Sequence, residues 1–262
     1  MSASPPIIDV AGATQRFGTR TIFRDVSFSV RRGEVFVILG GSGCGKSTLM
    51  KQLIGLLPPT AGRITIGGDA ITEESGAAER DRALRGMGVM FQSGALFGSM
   101  TLLENVMLPL QMFTPLPPEA RVAVARVKLG LVGLADAAAL MPSEISGGMA
   151  KRAGIARAMA LDPPLLFLDE PSAGLDPITS AGLDQLILDL RRDLGATFVI
   201  VTHELGSILA IADRCIMLDR HAYGDEGGII AEGDPRRLRD ESTNPIVRAF
   251  FRRQVPQTAE AA

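Results

Sequence analysis

The chain has 262 residues, with 27 Lys and Arg against 29 Asp and Glu and a net charge of −2. That is enough length for one large domain with a hydrophobic interior, and the charge balance gives no electrostatic case for a nucleic-acid binder. Two cysteines, Cys44 and Cys215, fit a reducing compartment and not a disulfide scaffold. The start, Met1 to Pro6, is short, polar and uncharged, so no signal peptide is expected. Mean hydropathy is +0.22, which invites a search for a membrane span. The longest uncharged run, residues 86–103, carries Gln92, three Ser or Thr and four Gly, and could not satisfy itself in hydrocarbon as a transmembrane helix. The apolar excess is expected in buried parallel strands and in surface that meets a partner.

In chain order, residues 7–10, 21–23 and 26–30 are short apolar runs broken by turns, and Arg31-Arg32-Gly33-Glu34 is a further turn. They predict antiparallel β-structure. Phe17, beside Gly18, could stack on a purine or pack internally, and composition alone favours packing. Residues 35–39 (VFVIL) predict a buried strand and residues 48–54 a helix opening at Thr48. Between them Gly40-Gly41-Ser42-Gly43-Cys44-Gly45-Lys46-Ser47 fits G-x-x-x-x-G-K-[ST] at every fixed position, in the strand–loop–helix context that phosphate capture needs. Glycines let consecutive backbone N–H groups approach phosphate oxygens, and the helix aims its N-terminal donors at the same place. Lys46 can reach the β- and γ-phosphates and the Ser47 hydroxyl can bind Mg²⁺. Cys44, at a helix N-terminus, is expected to have a lowered thiol pKa and to react unless a bound nucleoside triphosphate covers it.

Farther along, residues 63–68 predict a strand and turn, residues 71–85 a charged helix or loop, and residues 87–91 a strand ending at Gln92. Residues 101–112 have helical spacing, with Thr101 as N-cap and Glu104 three residues later. A helix is expected over about 118–130, then a turn at 141–144, then an alanine-rich helix over 149–161 opened by Ser146-Gly147-Gly148. Residues 165–170 read as an apolar strand ending in Asp169 and Glu170, residues 179–194 as an amphipathic helix, and residues 197–202 as a buried strand ending at His203. Helix 205–213, strand 215–218, a polar glycine-rich turn over 221–228 and strand 229–231 follow, before a basic helix with Phe250 and Phe251. Continuous apolar strands alternating with helices predict a parallel sheet covered on both faces. In such a sheet ligands sit beyond the carboxyl ends of the strands. The phosphate loop, Gln92, Asp169, Glu170 and His203 therefore converge: Asp169 to hold Mg²⁺, Glu170 to polarise the attacking water, Gln92 to sense metal or water, His203 to hold the γ-phosphate or Glu170.

Glu144-Ile145-Ser146-Gly147-Gly148-Met149 resembles the signature motif of ATP-binding cassette (ABC) ATPases. Ala173-Gly174-Leu175-Asp176 is similar to that family's D-loop, Gln92 to its Q-loop and His203 to its switch histidine. The resemblance runs over residues 7–240 with every motif in order. It implies that Phe17 stacks the base. It also implies that two subunits pack head to tail, ATP lying between one copy's phosphate loop and its twin's Ser146, Gly147 and Gly148, with Asp176 close by. The family commonly has Leu before the signature serine and Gln after the glycines, where this chain has Ile145 and Met149. The implied architecture is α/β: a P-loop NTPase core with a mostly parallel sheet, an N-terminal antiparallel β-subdomain, and an inserted α-helical signature subdomain over about 96–162. Residues 1–250 would form the single domain and 251–262 a flexible tail.

Phe91-Gln92-Ser93-Gly94-Ala95-Leu96-Phe97, Leu140-Met141-Pro142-Ser143 with the signature that follows, and Asp176-Pro177-Ile178-Thr179 resemble the ATPases of the maintenance-of-lipid-asymmetry group. This implies a phospholipid transporter at the cytoplasmic face of a bacterial inner membrane, with a permease, a periplasmic MCE-domain protein and a cytoplasmic STAS-domain protein as partners, and no nucleic acid. The apolar loop Ala95-Leu96-Phe97-Gly98-Ser99-Met100 would be the permease groove. A soluble family member acting on nucleic acid is the rival from another class. Such members split their ATPase halves with long coiled coils or carry two cassettes, whereas here about a hundred residues separate Lys46 from Ser146. A transporter of another solute, such as an amino acid or sterol, shares every catalytic residue and differs only in those resembling stretches.

Overall fold

The computed structural model describes residues 5–71 and 85–254. The charged stretch read as helix or loop over 71–85 therefore lies mostly outside the described residues, as do residues 255–262 of the expected tail. The described residues form one ten-stranded sheet in the order β5-β4-β1-β2-β10-β9-β3-β8-β7-β6. β3 (Val35–Gly40), β6 (Met87–Met90), β7 (Leu165–Asp169), β8 (Thr197–Val201) and β9 (Arg214–Tyr223) pair in parallel. β1 (Ile8–Phe17), β2 (Arg20–Val30), β4 (Ala61–Ile66) and β5 (Asp69–Ile71) pair antiparallel. β10 (Glu226–Gly233) joins the halves, antiparallel to β9 and parallel to β2 through Gly227 opposite Phe23.

The parallel strands are apolar on both faces because both faces are covered. Val35, Val37 and Leu39 of β3 point into one core, Phe36 and Ile38 into the other, and β7 and β8 divide their side chains likewise. The first core lies under α2 (Leu102–Phe113), α3 (Pro118–Leu131), α4 (Gly147–Ala158), α5 (Pro177–Leu194), α6 (Leu205–Ile211) and the last helix. The second lies under α1 (Lys46–Leu53) and the antiparallel strands. A helix α7 (Pro235–Glu241) precedes the last helix, α8 (Pro245–Arg252). α2 starts with the expected capping box: Thr101 Oγ1 accepts from Glu104 N–H, and Glu104 Oε2 accepts from Thr101 N–H at 2.7 Å.

Three sequence expectations are corrected. Residues 21–23 and 26–30 belong to one strand, not two. Asp25 takes a left-handed φ of 50°, and this irregularity puts both Phe23 and Val26 on the buried side, as a bulge does. The polar turn over 221–228 is a hairpin in which only Gly224 and Asp225 turn, with Glu226 opposite Tyr223. Its polar residues mark solvent exposure, not loss of the ladder: Arg24 lies over the Tyr223 ring at 4.9 Å and pairs with Glu226 at 2.9 Å. Finally, α8 runs through Arg252, and Phe251 is buried in the first core beside Val247, so order extends past residue 250.

Candidate functional site

The site begins where β3 ends. Gly40 has a φ of 147°, and a Cβ there would stand 2.2 Å from the Leu218 carbonyl oxygen. Gly45 has a φ of 102° and no room beside the Phe23 ring, 2.8 Å from where its Cβ would be. These two glycines let the loop curl tightly over β9 and β2. Gly45 is also the N-cap of α1 and supplies no side-chain cap, so the N–H groups around Lys46, Ser47 and Thr48 have no side-chain acceptor there and are left to a ligand. The Lys46 ammonium lies in the mouth of the loop, donating to the carbonyls of Gly40 at 2.8 Å and Gly41 at 2.9 Å.

Cys44 corrects the sequence reading. Its side chain is buried, and burial raises the thiol pKa by more than nearby Lys46 lowers it. Helix position alone does not activate a thiol that water cannot reach.

β7 delivers Asp169 and Glu170, and β8 delivers His203. Glu170 Oε1 is 2.8 Å from His203 Nδ1, while Glu170 Oε2 is buried with no partner. Glu170 sits at a left-handed φ of 47° with its N–H donated to Val201 O at 2.8 Å. Desolvation first, and then the Glu170 charge, push the Asp169 carboxyl above its ordinary range. Gly40, Gly41, Ser42, Lys46, Glu170 and His203 share one cleft of about 580 Å³, within the size range of small-molecule sites. Three residues that sequence reasoning passed over, Leu205, Phe250 and Arg253, also line it. No motif marks them; α6 and α8 bring them in.

Other expected residues lie outside this cleft. Phe17 ends β1 and is half exposed, free to meet a flat ring. Gln92 follows β6, and its carbonyl accepts from Lys151 of α4. Ser146 caps α4, accepting from Met149 N–H at 3.2 Å, and Gly147 and Gly148 form the first turn. These three do not line their own chain's cleft. Asp176 caps α5, accepting from the N–H groups of Ile178 and Thr179 at 3.0 Å each. The Thr179 hydroxyl and N–H hold its carboxyl below the ordinary range. Ser47, Gln92 and Asp169 offer hydroxyl, amide and carboxylate oxygens, a donor set that fits a hard cation such as Mg²⁺.

A sequence model described as ABC transporter matches residues 23–173. The Escherichia coli K12 protein named "Intermembrane phospholipid transport system ATP-binding protein MlaF" is 42% identical over 236 residues, covering 88% of this chain and 86% of that one. The Mycobacterium tuberculosis H37Rv protein named "Probable ribonucleotide transport ATP-binding protein mkl" is 44% identical over 244 residues, 93% of this chain. The chain spans only 66% of that relative's length. Among solved structures, cbiO1 from Clostridium perfringens, part of the ABC transporter complex cbiONQ, superposes with a TM-score of 0.80 at 26% identity, covering 90% of this chain and 91% of that one. The dimeric ATP-binding cassette MJ0796 bound to ADP and Pi gives 0.75 at 29% identity, covering 87% and 98%. Fold, motif order and these likenesses agree: the chain belongs to the ABC transporter family.

Proposed function

We propose that the chain is the ATP-hydrolysing subunit of a bacterial inner-membrane transporter that moves phospholipid between membranes. The observation that carries the hydrolytic half is the Glu170–His203 pair in one cleft with the phosphate loop. The backbone donors of Gly40 to Ser47 and of Thr48 hold the phosphates, Lys46 sets its charge against the β- and γ-oxygens, and Phe17 stacks the purine. The Glu170 carboxylate takes a proton from a water whose oxygen bonds to the γ-phosphorus. The bond from that phosphorus to the bridging oxygen breaks, and ADP leaves. His203 Nδ1 holds carboxylate oxygen Oε1, fixing the direction of the carboxylate. Mg²⁺, held by Ser47, Asp169 and Gln92, would supply neutralisation of the phosphate charge.

Ser146, Gly147 and Gly148 lie outside their own chain's cleft, which supports a head-to-tail pair in which each copy completes the other's site, with Asp176 at the seam. The dimeric relative with ADP and Pi supports the same arrangement. Phe91 and Phe97 are exposed at the loop after β6, which suits docking of an integral-membrane permease there. A periplasmic MCE-domain protein and a STAS-domain protein complete the assembly. Among the described residues no helix is long and apolar enough to cross a membrane; attachment at the cytoplasmic face is through the permease.

The relatives' names point to two cargoes, ribonucleotide and phospholipid. Phospholipid is favoured because that match runs along most of both chains, and because residues 91–97 and 140–149 resemble that group. The test is reconstitution with the permease in vesicles. ATP-dependent transfer of a fluorescent phospholipid to acceptor vesicles supports the reading. Uptake of labelled ribonucleotide without lipid transfer overturns its cargo half, and absence of phosphate release overturns the whole.

A further inference from the structure

Lys151 stands on α4, five residues beyond Ser146, and is only 6% exposed. A buried ammonium ordinarily meets a carboxylate. This one forms no ion pair among the described residues and instead donates to two main-chain carbonyls, those of Gln92 and, at 3.0 Å, Glu170. The carbonyls belong to the loops that leave neighbouring strands β6 and β7, whose registers run side by side.

Two further observations make these contacts more than packing. Glu170 has a left-handed backbone, which a non-glycine residue holds only when its surroundings enforce it. Its peptide groups are tied on both sides, N–H to Val201 and C=O to Lys151. The same helix also grips the loop after Gln92 through Arg157, which donates to Ala95 O at 2.7 Å and Gly94 O at 3.0 Å.

We propose that Lys151 is a positioning residue that pins the Ser146–Gly148 helix to the Gln92 and Glu170 loops, so that the helical insertion and the proton-accepting carboxylate move as one. The inference rests on reading the cleft as an ATP-hydrolysing site. A shift of α4, such as closure against a second copy would impose, then turns the Glu170 carboxylate, and a shift of the Gln92 loop does the same.

The test compares wild type, Lys151→Met, which keeps the stem and removes the donors, and Lys151→Arg, which restores donors. Affinity and site number are read with a fluorescent ATP analogue, and kcat and KM from phosphate release. In Lys151→Met, nucleotide affinity and KM stay within about threefold, while kcat per binding site falls about tenfold or more, as expected when a reacting group is misplaced by an ångström or less. Lys151→Arg recovers a measurable part of that loss. A purely structural lysine would lower the number of binding sites and leave kcat per site intact; that result overturns the proposal. So does an affinity loss equal to the loss in turnover. If Lys151→Met does not fold, Lys151→Gln, with its shorter single amide, gives an intermediate kcat, and wild-type kcat there overturns the proposal. Wild-type protein that binds no nucleotide overturns the underlying reading; wild-type binding with unchanged mutant turnover overturns this inference alone.

Discussion

Glu170→Gln separates chemistry from folding. The substitution keeps shape and leaves an amide oxygen to face His203 Nδ1, 2.8 Å from the present carboxylate oxygen. It places an NH₂ where Oε2 is now buried without a partner. An unmet buried donor costs about 1–3 kcal/mol, or at most a fall of roughly 12 °C in midpoint at about 2–4 °C per kcal/mol for a chain of this size. Even a protein left with about 2 kcal/mol of stability is roughly 97% folded at 25 °C, so unfolding cannot remove turnover. Losing the proton acceptor costs about 10²–10⁴-fold in kcat. Steady-state phosphate release at 25 °C should fall by that factor, nucleotide affinity should hold within about threefold, and size-exclusion chromatography with ATP should show an accumulated dimer. Turnover within threefold of wild type would refute Glu170 as the proton acceptor.

Asp169→Asn should raise the thermal midpoint without nucleotide at neutral pH while abolishing Mg²⁺-dependent turnover. The folded carboxyl titrates above its ordinary value of 3.8, so the folded chain keeps a proton that the unfolded chain releases. Its contribution to stability is therefore greatest below that value and declines as pH rises toward the raised one; a midpoint unchanged by the substitution would contradict this. Cys44 and Cys215, both buried, with the Cys215 thiol pushed up to about 12, should resist aromatic disulfide reagents at pH 8 until the chain unfolds; rapid native labelling would contradict the burial. Phe251→Ala should cost about 3–5 kcal/mol in urea unfolding, since that ring lies in the core of the parallel strands; a loss under 1 kcal/mol would mean α8 is loosely docked. Thr101→Ala should cost about 1 kcal/mol with phosphate release retained.

The parallel core and the site's first ring of residues were readable because each depends on local pattern. An apolar run ending in Asp169 and Glu170 announces a strand whose end opens on the cleft. The loop from Gly40 to Ser47 declares its own backbone through its glycines, and Thr101 with Glu104 fixed the start of α2. What escaped depends on distant contacts. Burial of Cys44 comes from the elements stacked over the loop, and no local motif reports it. Phe250 and Arg253 reach the cleft because α8 folds back from far along the chain. Lys151 carries no local signal on its alanine-rich helix, since its partners are carbonyl oxygens that every residue possesses. Polarity at 221–228 suggested a loop where the ladder in fact continues to Tyr223.

The place where α8 ends has a practical bearing. Val247 and Phe251 anchor it in the core beneath the catalytic strands, and Arg253 then emerges at the cleft. A bulky label on Arg253 would therefore stand at the rim of the cleft that holds Glu170 and His203.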